Sequence, residues 1–264
     1  MILAVDEVRK IYGAGATAVP ALQSVSLEVA PGEFVAILGP SGCGKSTLLQ
    51  IIAGLLPKSD GQVDFRGASV VAPPEGMVYL FQQYAKSLFP WRSVISNVEF
   101  PLEGRPDLGR DERRRRATEY LRLVGLAGFE QNAPWQLSGG MQQRVAIARA
   151  LAAEPSVLLM DEPFSAVDAL TRMDLQSLIL EIWSRQKLTI LLITHDVDEA
   201  ILLADRIVML TPRPTRIDYV LSSGLARPRD HITTREDPEY LALRHRLIST
   251  LLQRPQPKVE APAL

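Results

Sequence analysis

One stretch decides the fold of this chain, Gly39-Pro40-Ser41-Gly42-Cys43-Gly44-Lys45-Ser46-Thr47. It matches the pattern G-x-x-x-x-G-K-[ST], in which glycines let the backbone fold tightly so that successive N–H groups face one anion. The apolar run Phe34–Gly39 predicts a strand before the loop, and Ser46–Leu56 predicts a helix after it, whose N-terminal end favours negative charge. The stretch therefore predicts a nucleotide site in which Lys45 contacts the β- and γ-phosphates and Ser46 offers its hydroxyl to Mg²⁺.

The composition limits the classes of protein to which the chain can belong. It has 264 residues, 29 Lys and Arg against 30 Asp and Glu, a net charge of −1 at pH 7 and 47% apolar residues. This balance excludes a strongly basic chain built around nucleic acid, and we predict no nucleic-acid partner. The single cysteine, Cys43, excludes an intrachain disulfide and a cysteine-based zinc site.

Nothing in the sequence predicts a signal peptide or a transmembrane segment. The acidic residues Asp6 and Glu7 come too early for a signal peptide. No apolar run approaches the length of about 20 residues that a bilayer span requires. We therefore expect any association with a membrane to depend on a partner.

Predicted strands alternate with predicted helices along much of the chain, which indicates parallel β-α-β units. The strands are predicted at Val25–Ala30, Phe34–Gly39, Gln62–Arg66, Met77–Phe81, Val157–Met160, Leu188–Thr194 and Arg206–Leu210. Between them, the helical and charged pattern of Asp107–Ala153 predicts an inserted helical lobe. After residue 225 the chain becomes polar and contains several prolines, with one amphipathic helix predicted at about Asp237–Leu252.

Two carboxylates and a histidine follow apolar strands of this predicted sheet. Asp161, at the carboxyl end of one strand, can hold Mg²⁺, and Glu162 can orient or deprotonate an attacking water. His195 follows a second strand and should lie at the same edge, because open α/β sheets bind ligands at the carboxyl ends of their strands. There its imidazole is predicted to contact the γ-phosphate and to hold Glu162 and the water in line.

A second glycine-rich nest precedes a predicted helix at Leu137-Ser138-Gly139-Gly140-Met141. Ser-Gly-Gly at a helix N-terminus can bind an anion. Since the phosphate loop already serves the nucleotide of the same chain, the simplest explanation is that this nest caps the γ-phosphate held by another copy of the domain.

The complete motif set resembles that of the ATP-binding-cassette family. The motifs stand in family order. They are the adenine-stacking aromatic residue Tyr12, the phosphate loop Gly39–Thr47, the Q-loop glutamine Gln82, the signature Leu137–Met141, the pair Asp161-Glu162, the D-loop Ser165–Asp168 and the switch histidine His195. The usual motifs differ at two positions, where this chain has Met141 instead of Gln in the signature and Val167 instead of Leu in the D-loop. Neither difference removes a group that touches phosphate.

This resemblance implies an α/β fold, with a RecA-like P-loop NTPase core, an N-terminal antiparallel β-region and a helical subdomain inserted at about 88–155. Residues 1–225 would form the nucleotide-binding domain and residues 226–264 a short C-terminal tail. The implied ligands are ATP and Mg²⁺, with Glu162, His195 and Gln82 in catalysis and Ser46, Gln82 and Asp161 at the metal. Two domains, from a homodimer or from pairing with a second ATPase of the family, would sandwich two ATP molecules head to tail.

Several further segments resemble one branch of the family, the importers of nitrate, sulfonates and taurine. They are Phe81–Val94, Thr194–Asp205, Thr211–Ile217 and Asp237–Arg244. In this branch the chain would drive a membrane permease that docks near Gln82–Val94, at the cytoplasmic face of the inner membrane. An extracytoplasmic solute-binding protein would be an indirect partner.

Other functions remain as alternatives to import. The motor of an exporter or of a lipid transporter uses the same ATP chemistry. Soluble ATPases of the family usually carry long coiled coils, zinc modules or two cassettes, which this sequence lacks. A small-molecule kinase would leave Leu137–Met141 and His195 without a role.

Overall fold

The computed structural model describes residues 1–252, apart from the side chains of Ala16 and Ala85. The strands are β1 (Leu3–Tyr12), β2 (Val19–Val29), β3 (Phe34–Leu38), β4 (Asp60–Phe65), β5 (Ala68–Ser69), β6 (Met77–Leu80), β7 (Val157–Asp161), β8 (Thr189–Ile193), β9 (Arg206–Leu210) and β10 (Thr215–Ser222). The helices are α1 (Lys45–Ile52), α2 (Tyr84–Ser87), α3 (Val94–Glu103), α4 (Arg110–Leu123), α5 (Gly139–Ala152), α6 (Ala169–Gln186), α7 (Val197–Leu203), α8 (Thr233–Glu236) and α9 (Pro238–Leu252).

The ten strands form one sheet in the order β5-β4-β1-β2-β10-β9-β3-β8-β7-β6. Strands β9, β3, β8, β7 and β6 run parallel to one another. Strand β1 pairs antiparallel with β2 and β4, and β10 pairs antiparallel with β9 but parallel with β2. The sheet therefore has a parallel half next to a mainly antiparallel half that contains the N-terminal strands.

The central strands are apolar along their whole length because both faces of the sheet are covered. Every residue of β3, β7 and β8 is buried. Side chains alternate across the sheet, so Phe34 and Leu38 join one apolar cluster, whereas Val35 and Ile37 join the cluster formed with the N-terminal strands and α1. The phosphate loop thus begins at the end of a strand that is fixed from both sides.

Helices α2 to α5 lie between β6 and β7 in the chain, where the sequence predicts the helical insertion at about 88–155. Helix α3 packs against both α4 and α5. Their buried residues Ile95, Leu121 and Ile147 belong to the same apolar cluster as Phe34 of the sheet. The helical region is therefore packed onto the core of the sheet.

Three strands are absent from the strands predicted by the sequence, and a fourth begins earlier than predicted. Strands β1, β5 and β10 have no predicted counterpart, and β2 starts at Val19 instead of Val25. In β1 and β10 buried residues are interspersed with exposed and half-exposed ones. Antiparallel strands with one solvated face lack the continuous apolar run that marks a strand buried on both faces.

The C-terminal region is built around helix α9, close to the predicted helix at Asp237–Leu252. Its residues Tyr240 and Leu247 are buried in the main apolar cluster. The division of the chain at residue 225 stays a prediction, and residues 253–264 of the predicted tail lie outside the described part. Each described helix is too short or too polar to span a bilayer.

Candidate functional site

The phosphate loop connects β3 to α1 and ends at Gly44, whose φ of +109° is a conformation that favours glycine. Lys45 is buried, and its Nζ donates to the carbonyl oxygens of Gly39 at 2.9 Å and Pro40 at 3.1 Å. The loop therefore wraps around the lysine and holds its ammonium group next to the N-terminus of α1. A polyphosphate seated there would meet both the ammonium group and the positive end of the helix.

Two of the three side chains predicted to hold Mg²⁺, Ser46 and Asp161, meet at the end of β7, whereas the amide of the third, Gln82, contacts Glu162. The Ser46 hydroxyl donates to Oδ1 of Asp161 at 3.0 Å, and the Tyr79 hydroxyl donates to Oδ2 of the same carboxylate at 2.8 Å. Mg²⁺ is commonly held through one or two carboxylates together with substrate phosphates, and one carboxylate beside a phosphate loop fits that pattern. The oxygen donors present therefore suit the predicted metal.

The three side chains predicted to act in catalysis meet, because Gln82 and His195 both contact one carboxylate oxygen of Glu162. Oε2 of Glu162 accepts a hydrogen bond from Nε2 of Gln82 at 3.2 Å and lies 3.3 Å from Nδ1 of His195. The strand register explains the meeting, because Leu80 pairs with Met160 and Asp161 pairs with Ile193. The residues that follow these strand ends therefore lie side by side.

Glu162 has a left-handed backbone conformation, with φ of +45°. For a residue other than glycine this conformation costs on the order of 1–3 kcal/mol and is found preferentially at functional sites. Its backbone N–H donates to the carbonyl of Ile193 at 3.0 Å, which fixes the turn after β7. Strain is thus retained at the residue that carries the candidate catalytic carboxylate.

Tyr12 lies at the end of β1, beside the phosphate loop. Its hydroxyl is 3.3 Å from Oγ1 of Thr47, and its ring is exposed. The Nζ atom of Lys10 lies 5.1 Å from the ring centroid. An exposed aromatic face next to a phosphate site is available for stacking on a base.

One residue of the signature and one residue of the D-loop each cap the N-terminus of a helix. Ser138 caps α5 by accepting from the N–H of Met141 at 3.3 Å. Asp168 caps α6 by accepting from the N–H groups of Leu170 and Thr171, and the hydrogen bonds of Thr171 lower the pKa of its carboxyl. Gly140 lies so close to Thr171 that a Cβ atom there would be 2.5 Å from Cγ2 of the threonine.

The structure divides the predicted site residues into two groups. The first contains the phosphate loop, which is hydrogen-bonded to Tyr12 and Asp161, together with Gln82, Glu162 and His195, which meet at the end of the same strand β7. Ser165 of the D-loop adjoins this group, since its hydroxyl donates to the carbonyl of Glu162 at 3.0 Å. The second group contains the signature Leu137–Met141 and Asp168 of the D-loop. Among residues 1–252, no hydrogen bond or ion pair joins the signature to the phosphate loop. One chain therefore has a phosphate loop and a second, separate nest.

Three residues support the site without having been predicted from the sequence. Tyr79 holds Asp161, the Thr215 hydroxyl donates to the carbonyl of Cys43 in the loop, and Nε2 of Gln143 donates to the carbonyl of Pro163. Tyr79 lies in the predicted strand before Gln82, but nothing in the sequence relates it to Asp161. All three contacts join segments that are separated in the chain.

An apolar groove of about 350 Å³ lies next to Gln82, between β6 and the helical region. It is lined in part by Phe81, Phe89, Phe100 and Arg149. Residues of the predicted docking segment Gln82–Val94 differ in their exposure to solvent, since Trp91 is 77% exposed whereas Leu88 is 4% exposed. Leu88 is thus a core residue that packs into the main apolar cluster, and the docking of a permease near this segment stays a prediction.

Comparisons with known proteins agree with this geometry. Residues 22–165 match the family described as ABC transporter. The taurine import ATP-binding protein TauB of Burkholderia pseudomallei is 45% identical over 255 residues, which cover 95% of this chain and 97% of that protein. The bicarbonate transport ATP-binding protein CmpC of Synechococcus elongatus is 44% identical over 98% of this chain, which spans 39% of that longer protein.

Among solved structures, the fold matches the ATP-binding cassette MJ0796 in a dimeric post-hydrolysis state bound to ADP and Pi. The TM-score is 0.75 at 33% identity, over 85% of this chain and all of that one. The family, the α/β P-loop fold class, the ATPase activity and the ligands ATP and Mg²⁺ that the sequence predicts are confirmed at the level of the family. The chain belongs to the ABC transporter family, as an ATP-binding cassette subunit.

Proposed function

We propose that this chain hydrolyses ATP in a head-to-tail dimer and so powers a membrane importer of a small anionic solute. One observation carries the hydrolytic part of the proposal, the meeting of Gln82, Glu162 and His195 at a single carboxylate oxygen beside the phosphate loop. A kinase needs no such water-activating group at this place. The arrangement therefore favours attack by water over transfer to an acceptor.

In this mechanism Glu162 orients the attacking water and accepts its proton. Gln82 and His195 hold the carboxylate from two sides, so its rotation is limited before water and nucleotide arrive. Lys45 exchanges the carbonyls of Gly39 and Pro40 for phosphate oxygens of ATP. Ser46 and Asp161 would hold Mg²⁺, which would neutralise charge on the phosphates.

The dimer follows from the division of the site into two groups. Ser138 and Gly139 form the N-terminus of α5, where backbone N–H groups favour an anion. We place the γ-phosphate of the partner's ATP at this nest, so that each active site uses the phosphate loop of one chain and the signature of the other. The dimeric state of the cassette MJ0796 supports this arrangement.

We further propose that the groove next to Gln82 receives a segment of the permease. Phe89 packs against Phe100, with ring centroids 4.7 Å apart, and against Trp91 at 5.5 Å. This aromatic group forms an exposed rim beside the groove, and aromatic residues are enriched at protein interfaces. Contact there would let the Gln82 segment transmit the closure of the dimer to the membrane.

The anionic group of the solute is proposed from the relatives named for taurine and bicarbonate transport, since taurine carries a sulfonate group and bicarbonate is an anion. Import implies a permease, an extracytoplasmic solute-binding protein and a peripheral position of this chain at the cytoplasmic face of the membrane. The motor of an exporter or lipid transporter would have the same ATP site. The relatives' names favour import.

The composite site can be tested by mixing two inactive variants, Lys45→Ala and Ser138→Arg. Each variant alone should release phosphate poorly. A mixture forms heterodimers with one intact site, so its phosphate release should exceed the sum of the separate rates by about tenfold or more. An inactive mixture of variants that still associate on addition of ATP would contradict the composite site.

Transport is tested by purifying tagged Glu162→Gln protein from its own cells with ATP, Mg²⁺ and mild detergent. We expect a multi-span permease to copurify, identified by mass spectrometry, and Trp91→Glu should abolish this association. Recovery of soluble partners alone would leave the ATPase chemistry intact and refute the role in transport.

A further inference from the structure

Helix α7 begins two residues after His195, whose side chain contacts Glu162. The His195 side chain is 59% exposed. Its position is therefore set by the chain on either side, where β8 ends at Ile193 and α7 begins at Val197. Whatever fixes α7 also fixes this imidazole relative to Glu162.

The first turn of α7 is held by the C-terminal segment, defined here as residues 226–252. Oδ1 of Asp198 accepts from the Tyr240 hydroxyl at 2.9 Å and from Nε of Arg244 at 2.7 Å. The Tyr240 ring is buried in the main apolar cluster, so its hydroxyl is presented from a rigid base. Asp198 lies three residues after His195 in the chain, within the first turn of α7.

The last turn of α7 is held by a second contact from the same segment. The Arg229 side chain is 2% exposed, and its Nη1 donates to the carbonyls of Ile201 at 3.1 Å, Leu202 at 3.2 Å and Ala204 at 2.8 Å. These are carbonyls that a helix end leaves without intrahelical partners. Burial lowers the pKa of Arg229 to about 10, so the guanidinium stays charged at neutral pH and favours the negative end of the helix.

These contacts make α7 depend on the C-terminal segment. A helix of seven residues is far shorter than the about 12–15 residues at which an isolated helix becomes even marginally stable in water. Its orientation must therefore come from tertiary contacts. Helix α7 packs on β3, Gln176 of α6 donates to Glu199 at 2.8 Å, and the C-terminal segment adds the contacts at both ends. The residues of the C-terminal segment lie outside residues 22–165, the part that matches the family.

We infer that the C-terminal segment positions His195 for hydrolysis by holding α7 at Asp198 and at its last carbonyls. Tyr240 and Arg244 are positioning residues in this scheme, since they act on the site through Asp198. The inference rests on the proposed hydrolytic role of His195. It gives the C-terminal segment a role in the rate of the ATPase reaction, in addition to its contribution to the core.

The inference is tested with Tyr240→Phe, which keeps the buried ring, and with Tyr240→Phe/Arg244→Gln. The matched control is Arg246→Gln, because Arg246 lies on the same helix but over the ring of Tyr219, 5.5 Å from its centroid. Thermal melts identify the variants that remain folded. The first readout is the imidazole resonance of His195 in ¹³C-histidine-labelled protein, assigned with His195→Ala and recorded without nucleotide.

We expect the His195 resonance to move in both Tyr240 variants and to stay in place in the Arg246 control. In hydrolysis, the double variant should lower kcat by about 5- to 20-fold with KM for ATP within about twofold, since small displacements of a catalytic group cost rate. In a His195→Ala background the same changes should leave the residual rate unaltered, because the affected group is already absent.

Three results would overturn the inference. The His195 resonance could stay unchanged in both Tyr240 variants, kcat could remain at the wild-type value, or kcat could fall by the same factor with and without His195. Absence of hydrolysis by the wild-type chain would instead refute the proposed function. The two failures are distinguishable because the resonance reports the link to α7 without requiring turnover.

Discussion

The Tyr79 hydroxyl donates a 2.8 Å hydrogen bond to Oδ2 of Asp161, while the Ser46 hydroxyl occupies Oδ1 of the same carboxylate. Burial and the adjacent carboxylate raise the pKa of Tyr79 above its ordinary value, so the phenol remains protonated and acts as the donor. Both oxygens of the metal-binding carboxylate are thus oriented by neighbouring side chains. Tyr79 joins β6 to β7 at the point where the metal is expected.

We predict that Tyr79→Phe raises the Mg²⁺ concentration needed for half-maximal ATP binding by about 5- to 50-fold. The change removes one hydrogen bond to a charged group, which is typically worth about 1–3 kcal/mol. Affinity for a fluorescent ATP analogue is measured across a Mg²⁺ titration and again with a chelator. The chelated affinity should stay within about twofold, because the contact acts on the metal ligand alone.

The control for this variant is Tyr219→Phe, which also removes a tyrosine hydrogen bond, the 3.0 Å bond to Oγ1 of Thr250. It should leave the Mg²⁺ titration unchanged. If Tyr219→Phe raised the required Mg²⁺ concentration as much as Tyr79→Phe did, the Tyr79 hydroxyl would contribute to stability and not to metal binding.

We predict that Glu162→Gln lowers phosphate release by about 100-fold or more, since general-base catalysis typically contributes about 10²–10⁴-fold. ATP binding should be retained, because the phosphate loop, Ser46 and Asp161 are unchanged. The closed dimer should then persist with ATP and be visible by size-exclusion chromatography. Glu154→Gln is the matched control, since Glu154 also has positive φ but makes ion pairs with Arg105 and Arg116. Rapid hydrolysis by the Glu162→Gln variant would show that another group activates the water.

We predict that Cys43 reacts slowly with iodoacetamide although it lies within the phosphate loop. Its side chain is 2% exposed and packs in the core cluster next to α1, and burial raises the pKa of the thiol. Since the thiolate is the nucleophile, both effects should slow modification, by about 100-fold or more relative to the unfolded chain. Mass spectrometry over a time course measures the rate, and fast labelling of folded protein would place the thiol in the nucleotide cavity.

The buried Glu199 should make the stability of the chain depend on pH. Burial raises its pKa from 4.5 to about 7, while Gln176 donates to Oε1 at 2.8 Å. The folded state then binds more protons than the unfolded state between these values, so stability falls as pH rises from about 4.5 to about 7 and levels off above.

Glu199→Gln mimics the neutral carboxyl and should remove this pH dependence. Above about pH 7 it should stabilise the protein by up to about 3 kcal/mol. Urea unfolding at about pH 5 and about pH 8 measures the effect, with the exposed Glu236→Gln as control. A Glu199→Gln variant that is less stable than the wild type at the higher pH would contradict the raised pKa.

Local sequence is sufficient to predict the phosphate loop, the strand before it and the Asp161-Glu162 pair. These features depend on contiguous residues, in which glycines, a lysine and an apolar run dictate the local backbone and its burial. The family resemblance also followed from motifs that are each continuous in the chain. The strands β1 and β10 were missed because a single buried face leaves only a broken apolar pattern.

The sequence predicts that His195 lies beside Glu162, but the other contacts of the site depend on how remote segments pack. Parallel register brings Gln82, Glu162 and His195 together, and the contact from Tyr79 to Asp161 spans 82 positions of the chain. The bond from Tyr240 to Asp198 spans 42 positions and connects two helices that no motif relates. Such contacts arise from the packing of remote segments around a common core, and local sequence patterns carry no information about that packing.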